Sequence, residues 1–309
     1  MLALAAAPGQ PGNVQLREVP DPEPHHNQAL VRVSAISLNR GETRRLAEME
    51  PGEVTGWDLA GVVERSALSG EGPQAGQRVV GLVARGAWAQ RVAVDAGWLA
   101  QLPDGVSDAQ AASLPVAGLT ALKALDVIGQ VLARSVLVTG ASGGVGRFAI
   151  QLARLAGARV TAVSASPERA AGLVELGAQE ILHELQDTGS GFDAVVEGVG
   201  GASLAAALQR VSPGGTVVSF ASSDPAPVSF GSRSFFARAP GARLYGLFLF
   251  DQLARERSAA VDLSRLAELV ASGRLDCSIG HESSWRQAPE AIAALMERRL
   301  AGKAVLHVD

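Results

Sequence analysis

A chain of 309 residues exceeds what one hydrophobic core usually serves, so two domains are expected. A composition of 47% hydrophobic and 19% charged residues excludes a disordered protein, and a net charge of −4 gives no reason to expect nucleic acid or an anionic membrane as a partner. The single cysteine, Cys277, excludes a disulfide framework within the chain and a zinc site of several thiolates, and it predicts a cytoplasmic location.

Short segments broken by Gly, Pro, Asp and Asn make up the chain as far as about residue 115. The first seven residues lack the positive flank and the length of a signal-peptide core, so we predict a strand there. No stretch approaches the roughly 20 apolar residues that span a bilayer. Further strands are predicted over residues 29–33, 61–64, 78–83 and 89–94. Many short strands with few helices predict a small, partly open β barrel.

From residue 116 onward, strands and helices alternate. Continuous apolar runs predict strands over residues 136–139, 159–163, 180–182, 194–197, 216–220 and 244–249. Helical segments over residues 147–156, 167–176 and 202–211 stop at a glycine or before a proline. Six strands with intervening helices predict a doubly wound α/β sheet that binds a nucleotide.

The end of the chain carries two more predicted helices, over residues 263–272 and 289–301, and then a strand over residues 303–308. That strand has no partner within the α/β pattern, so we infer that it returns to the first domain. We therefore expect one domain made of residues 1–115 and 258–309, with residues 116–257 inserted into it.

A glycine-rich turn over residues 140–146 is the strongest functional motif. It follows a buried-strand pattern and opens a helix, which is the context of a dinucleotide fingerprint. Gly143 and Gly144 let the backbone approach a pyrophosphate, and Gly146 lets the helix pack closely on the sheet. The free amides and the positive end of that helix attract phosphates. An ordinary strand-to-helix turn is the alternative, but the strand and helix pattern around it favours dinucleotide binding.

The end of the second strand of this sheet distinguishes NAD from NADP. NAD-binding proteins usually place Asp or Glu there, roughly 20 residues after the glycines. Here the strand leads into Ser164, Ser166 and Arg169, whose hydroxyls and guanidinium suit a 2′-phosphate. Ser166 also stands where it would cap the next helix, with Pro167 at the first helical position. Glu168 alone favours NAD, so the balance predicts NADPH.

Five segments in order extend over nearly the whole chain: an Asn-containing loop at residues 37–43, residues 56–63, residues 102–122, the glycine-rich turn, and Gly302-Lys303 before the last strand. Together they resemble the medium-chain dehydrogenase/reductase family, and within it the zinc-free quinone oxidoreductases and zeta-crystallin. The resemblance implies a GroES-like β-barrel catalytic domain, an inserted Rossmann domain and a cofactor in the cleft between them.

The resemblance also implies the site residues. It assigns Asn39 and Thr120 to the nicotinamide side and Lys303 to the cofactor cleft. Without the resemblance, Asn39 would more often be a turn residue and Lys303 a solvated lysine at a strand end. The remaining cofactor-binding residues are Ala141, Ser142, Gly143, Gly144 and Val145 at the pyrophosphate, and Phe220, Ala221, Leu247, Phe248 and Leu249 near the nicotinamide.

Departures from the zinc-dependent members point away from a metal site. Zinc alcohol dehydrogenases carry Gly-His-Glu where this chain has Gly56-Trp57-Asp58, and a cysteine ligand near the position of Asn39. The five histidines lack the paired spacing of metal ligands. We therefore expect no metal. Some quinone reductases place a tyrosine after the Asn-containing loop, where Arg44 and Arg45 stand here, so no tyrosine proton donor is expected.

The sequence thus predicts a zinc-independent, NADPH-dependent reductase of quinones or of the C=C bond of α,β-unsaturated carbonyls. Asn39 is the predicted hydrogen-bond donor to the oxyanion that develops on the substrate. An enoyl reductase acting on thioesters is one alternative, and a cofactor-binding protein with little catalysis is another.

We also predict a homodimer, because residues 244–250 should form an apolar strand at one sheet edge, which family members often pair. A covering segment at residues 234–239 is the alternative there.

Overall fold

The computed structural model describes residues 1–186 and 189–309. They form two compact units: a terminal unit of Met1–Leu119 and Leu253–Asp309, and a central unit of Thr120–Gln252. The sequence placed these boundaries at residues 115 and 257. Both observed boundaries fall inside helices, so no loop in the sequence marks them.

The described strands, in chain order, are β1 (Leu2–Ala6), β2 (Val14–Glu18), β3 (Gln28–Leu38), β4 (Asp58–Arg65), β5 (Arg78–Leu82), β6 (Arg91–Asp95), β7 (Leu99–Gln101), β8 (Ser135–Val138), β9 (Arg159–Val163), β10 (Glu180–Leu182), β11 (Phe192–Glu197), β12 (Val211–Ser219), β13 (Arg243–Gly246), β14 (Ile279–Ser284) and β15 (Lys303–His307). The described α-helices are α1 (Arg40–Thr43), α2 (Asp108–Ser113), α3 (Pro115–Ile128), α4 (Gly144–Leu155), α5 (Pro167–Ala170), α6 (Gly201–Arg210), α7 (Leu249–Glu256), α8 (Ala259–Ala271) and α9 (Ala288–Met296). None of these helices combines the length and the apolar character needed to cross a bilayer.

The terminal unit is built on a sheet in the order β14-β15-β3-β4-β5-β7, with β6 also paired to β3 and a separate β1-β2 hairpin. Trp88 and Trp285 are fully buried in its core among Val, Leu, Ile and Ala side chains. The last strand, β15, pairs antiparallel with β3. The inference that the end of the chain returns to the first domain is therefore confirmed.

The central unit is a parallel sheet in the order β10-β9-β8-β11-β12-β13. This is the doubly wound order, in which the direction of winding reverses between β8 and β11. Leu137, Val195 and Val217 are fully buried in the middle of the sheet. In such sheets, ligands bind beyond the carboxyl ends of the strands at the point of reversal, which is where the glycine-rich turn follows β8.

Two predicted elements of the central unit are wrong in extent. The sixth strand was predicted over residues 244–249 but ends at Gly246, and Leu249 begins α7. Leu249 and Leu253 are both buried, at the four-residue spacing of a helix face, whereas the sequence showed only a continuous apolar run. The helix predicted over residues 167–176 is α-helical only over Pro167–Ala170, because the backbone of Ala171 is already non-helical, with a ψ of 135°.

Candidate active site

The glycine-rich turn has the geometry that a dinucleotide needs. Gly140 has a left-handed φ of +58°, and the amide of Gly143, the N-cap of α4, donates to the Gly140 carbonyl at 3.0 Å. A Cβ on Gly146 would lie 2.6 Å from the Cα of Ala141, so only glycine lets α4 pack this closely on the turn. The local sequence therefore brings the helix directly onto the strand end.

The surface of this turn is made of backbone. Gly143 is exposed and Gly144 and Val145 are half-buried, whereas the side chains of Ala141 and Ser142 are buried. The first amides of a helix have no acceptor within the helix, and the helix dipole places partial positive charge there. The turn therefore fits the pyrophosphate of a dinucleotide through the amides at the start of α4.

A buried carboxylate fixes the two strand ends beside the turn. Glu197 ends β11, and its Oε1 accepts from Thr139 Oγ1 at 3.1 Å and from the amides of Val199 and Gly200 at 2.9 and 3.1 Å. The hydroxyl of Thr139 in turn accepts from the amide of Gly198 at 3.1 Å. Sequence analysis did not identify this role of Glu197, because its partners lie 58 residues away or in the following loop.

The loop after β9 keeps only part of the predicted 2′-phosphate site available. Ser164 is buried and donates to the carbonyl of Ser166 at 3.2 Å. The hydroxyl of Ser166 accepts from the amide of Arg169 at 3.3 Å, as the predicted cap, and donates to Glu168 Oε2 at 2.7 Å. That hydrogen bond lowers the pKa of the Glu168 carboxyl. Both hydroxyl protons are thus engaged inside the loop, and Arg169 is the remaining donor side chain.

The other predicted residues of the central unit are distributed unevenly. Phe220 is half-buried after β12, and a Cβ on Gly198 would lie 2.4 Å from its ring, so the ring packs tightly on the loop after β11. Ala221 is exposed. Leu247 is buried after β13, whereas Phe248 is 67% exposed. These positions share the carboxyl edge of the sheet with the glycine-rich turn, but Leu249 belongs to α7 and Thr120 is buried in α3.

In the terminal unit, strand register brings together five polar residues, which we call the Asp58 cluster. Ser37 pairs with Asp58 between β3 and β4, and β15 places Lys303 next to the end of β3. Asp58, Glu42 and Ser37 are fully buried, and Lys303 is 3% exposed. The Asp58 cluster consists of Ser37, Asn39, Glu42, Asp58 and Lys303.

Asp58 accepts hydrogen bonds through both of its carboxylate oxygens. Its Oδ2 accepts from Ser37 Oγ at 2.5 Å, from Asn39 Nδ2 at 2.8 Å and from Lys303 Nζ at 3.4 Å. Its Oδ1 accepts from the amide of Val116 at 2.9 Å, at the start of α3, where the helix dipole favours a negative charge. Asp58 is therefore the centre of the cluster and the charge partner of Lys303.

Asn39 is held on both sides of its amide group. Its Nδ2 donates to Asp58 and to Glu42 Oε1 at 3.1 Å, and its Oδ1 accepts from Lys303 Nζ at 2.8 Å. Its backbone amide donates to Glu42 Oε1 at 2.7 Å, which caps the start of α1. The structure thus places Asn39 and Lys303 in contact, and it directs both side-chain protons of Asn39 toward carboxyl groups.

Glu42 differs from its neighbours in having one oxygen without a partner. Burial, and next the adjacent carboxylate of Asp58, hold the pKa of Glu42 well above its usual range. Its Oε2 is buried and has no hydrogen-bond partner among the described residues. Glu42 is therefore the carboxyl group of the cluster whose charged form is disfavoured, and Asp58 is the carboxyl group that pairs with Lys303.

Comparison with known proteins gives the same assignment for both units. The alcohol dehydrogenase GroES-like domain matches residues 25–104, and the zinc-binding dehydrogenase domain matches residues 144–266. A chloroplast envelope quinone oxidoreductase homolog of Arabidopsis thaliana is 28% identical, over 94% of this chain and 92% of that protein. The chain belongs to the medium-chain dehydrogenase/reductase family. The predicted fold class, a GroES-like domain with a Rossmann-type sheet, is confirmed.

Two further proteins similar to this chain are informative. A phenolphthiocerol/phthiocerol polyketide synthase subunit of Mycobacterium tuberculosis is 28% identical over 97% of this chain, which spans only 14% of that protein. A mycobacterial protein solved in complex with NADPH is 27% identical, with a TM-score of 0.87 over 99% of this chain and 100% of its own. The first of these is far longer than this chain, whereas the second has matching length and fold.

The indole of Trp57 lies beside the loop that carries Asn39. Trp57 is half-buried, and a Cβ on Gly41 would lie 2.6 Å from its ring, so the indole packs on the Asn39 loop. Within residues 1–186 and 189–309, no three His, Cys, Asp or Glu side chains converge in a way that could hold a metal ion. Burial raises the pKa of the Cys277 thiol to about 11, which suits a packing role.

Proposed function

We propose that this medium-chain family member is an NADPH-dependent reductase of quinones or of the C=C bond of α,β-unsaturated carbonyls, and that it works without zinc. The observation that carries the proposal is the glycine-rich turn, which presents the amides of α4 at the point where the sheet reverses direction. The similarity to a protein solved with NADPH supports the choice of cofactor.

Separate groups of this chain would hold the parts of the cofactor. The amides of Gly144 and Val145 would bind the pyrophosphate, and the guanidinium of Arg169 would bind the 2′-phosphate. NADPH supplies the hydride when it is bound, so the protein mainly has to orient the two reactants and stabilise the charge that develops on the substrate oxygen.

The role of Asn39 in this proposal follows from its contacts. Its two side-chain protons already point at Asp58 and Glu42, so it can donate to a substrate oxyanion only if one of those contacts opens. The contact with Glu42 is the longer of the two, at 3.1 Å against 2.8 Å, and the raised pKa of Glu42 disfavours its charged form. We propose that Asn39 keeps its bond to Asp58 and contributes to catalysis through the proton now shared with Glu42.

The test is oxidation of NADPH by the purified chain with a panel of quinones, enones and enals, alongside elemental analysis. We expect turnover with at least one of these classes, weaker activity with NADH, and activity that survives chelators. About one zinc per chain, together with activity lost to chelators, would end the zinc-free proposal. Binding of NADPH without turnover on any acceptor would instead favour a cofactor-binding protein with little catalysis.

An enoyl reductase acting on thioesters is the second candidate. The similarity to a polyketide synthase subunit over 97% of this chain is the observation that favours it. Both candidates use hydride transfer to an electron-poor carbon, so only the acceptor separates them. A short enoyl thioester should be included in the panel, and a kcat/KM for it well above that of the best quinone or enone would make it the preferred assignment.

We also propose a cytoplasmic homodimer that pairs β13 across a two-fold axis. Strand β13 lies at the sheet edge, where Leu244 is 48% exposed and Phe248 beyond it is 67% exposed. An apolar strand edge left uncovered promotes aggregation, and a two-fold contact would cover it. Light scattering at micromolar concentration should give twice the chain mass, and Leu244→Lys should shift it toward the monomer. A monomeric wild type would remove this proposal.

A further inference from the structure

One guanidinium in the central unit joins the glycine-rich turn to the loop after β9. Arg147 lies one turn into α4, and its Nε donates to the carbonyl of Ser142 at 3.3 Å. Its Nη2 donates to the carbonyl of Arg169 at 3.1 Å and to that of Ala171 at 2.9 Å. The two segments that Arg147 connects are the ones proposed above to hold the pyrophosphate and the 2′-phosphate.

Two of the three acceptors of Arg147 are the carbonyls of Arg169 and Ala171, at the end of the short helix α5. The α5 helix has only four residues, so the carbonyls at its end have no backbone amide within the helix to accept from. Gly172 turns the chain away, and a Cβ there would lie 3.5 Å from Arg147 Nη1, which is an ordinary contact. A planar guanidinium can reach several acceptors at fixed angles, whereas a lysine ammonium is a compact point charge.

These contacts fix the backbone of Arg169 from both sides. Its amide donates to the Ser166 hydroxyl, and its carbonyl accepts from Arg147. Its own side chain is half-buried, and its charge helps to lower the pKa of the neighbouring Glu168. The backbone of Arg169 is therefore held in place, and the position of its guanidinium depends on that backbone.

We propose that Arg147 is a positioning residue for cofactor choice, which holds Arg169 where the 2′-phosphate of NADPH binds. The inference rests on the proposed NADPH dependence and extends it, because it assigns the preference to a residue that need not touch the cofactor. Arg147 acts through the carbonyls of Arg169 and Ala171. Its loss should therefore weaken ligands that carry a 2′-phosphate and spare those that do not.

The experiment measures dissociation constants of 2′,5′-ADP and 5′-ADP, and of NADPH and NADH, by calorimetry for Arg147→Met, Arg169→Ala and the double variant. We expect Arg147→Met to weaken 2′,5′-ADP and NADPH by about tenfold and to leave 5′-ADP and NADH within about twofold. Because Arg147 acts through Arg169, the double variant should bind no more weakly than Arg169→Ala alone. Thermal melting of each variant establishes that it is folded at the temperature of the measurement.

Arg147→Lys separates positioning from direct binding of the phosphate. Lysine keeps the charge but cannot serve three carbonyls, so it should behave like methionine if Arg147 positions Arg169. Recovery of 2′,5′-ADP affinity in Arg147→Lys, or additive losses in the double variant, would overturn the inference, because both indicate an independent phosphate ligand. Equal weakening of NADPH and NADH would also overturn it, since the effect would then lie in the pyrophosphate turn.

The wild-type chain keeps the two proposals apart. If it binds 5′-ADP as tightly as 2′,5′-ADP, the proposed NADPH dependence fails, and the role of Arg147 fails with it. If the wild type prefers 2′,5′-ADP and Arg147→Met keeps the same preference, only the role of Arg147 fails.

Discussion

The glycine-rich turn of the central unit and the Asp58 cluster of the terminal unit differ in how their polar groups are satisfied. At the turn, Gly143 and Gly144 keep side chains away from the backbone, and the first amides of α4 have no acceptor within the helix. In the cluster, buried side chains satisfy one another almost completely, with three donors on a single oxygen of Asp58. Open donors suit a ligand from solution, whereas closed networks hold a loop in one conformation.

The largest expected effect is on the closed network. Asp58→Asn removes the charge partner of buried Lys303 and places an NH2 group among side chains that donate to Asp58. The free energy of unfolding should therefore fall by about 3–5 kcal/mol. Urea unfolding measures the loss. Glu297→Gln is the matched control, because it removes the same charge from the exposed pair with Arg299 and should cost about 0–1 kcal/mol. Equal effects at the two sites would mean that the cluster is not the rigid element described above.

At the glycine-rich turn, we expect cofactor binding to be lost when the close packing of the backbone is disturbed. Gly146→Ala places a Cβ 2.6 Å from the Cα of Ala141, so α4 must shift, at a cost of about 1–3 kcal/mol, and NADPH and NADH should both bind more weakly. Gly246→Ala is the control, since a Cβ there meets nothing within 4 Å. Normal binding of both cofactors by Gly146→Ala would show that close packing of α4 on the turn is not needed.

Asn39→Ala tests whether the closed network also takes part in the reaction. It leaves donors and acceptors on Asp58, Glu42 and Lys303 unmatched, so we expect a stability loss of about 1–3 kcal/mol. Turnover should fall by on the order of 10²-fold if the amide reaches the oxyanion, with the dissociation constant of NADPH within about twofold. Unchanged turnover in folded protein would leave Asn39 with only its structural contacts.

The smallest effect is a pH dependence within the cluster. The pKa of Glu42 is raised in the folded chain, so its proton stabilises the fold at low pH, and that stability is lost as pH rises above the usual value of 4.5. Glu42→Gln does not titrate, so its stability relative to wild type should increase as the pH rises above 4.5. Glu168→Gln is the control of opposite sign. The pKa of Glu168 is lowered in the folded chain, so the stability that its carboxylate adds to the wild type is lost as the pH falls. A pH-independent difference for Glu42→Gln would contradict the raised pKa of Glu42.

The sequence by itself determined the features that are local. Strand β8, the glycines and the start of α4 are consecutive, so steric limits and helix-end chemistry predict the turn without knowledge of the rest of the fold. The alternation of strands and helices likewise predicted the doubly wound sheet, and the unpartnered last strand predicted its return to the first domain. Ser166 was predicted as a cap from the residues next to it, and it is one.

Only the tertiary structure decided what side chains do at long range. Lys303 and Asn39 lie 264 residues apart in sequence, and the pairing of β15 with β3 brings them to 2.8 Å. Sequence patterns therefore left Lys303 open as a solvated lysine, and they did not identify Asp58 as its partner or Glu42 as a buried acid. The same holds for Arg147, because a guanidinium reaches several carbonyls only after the helix and loop that carry them have packed together.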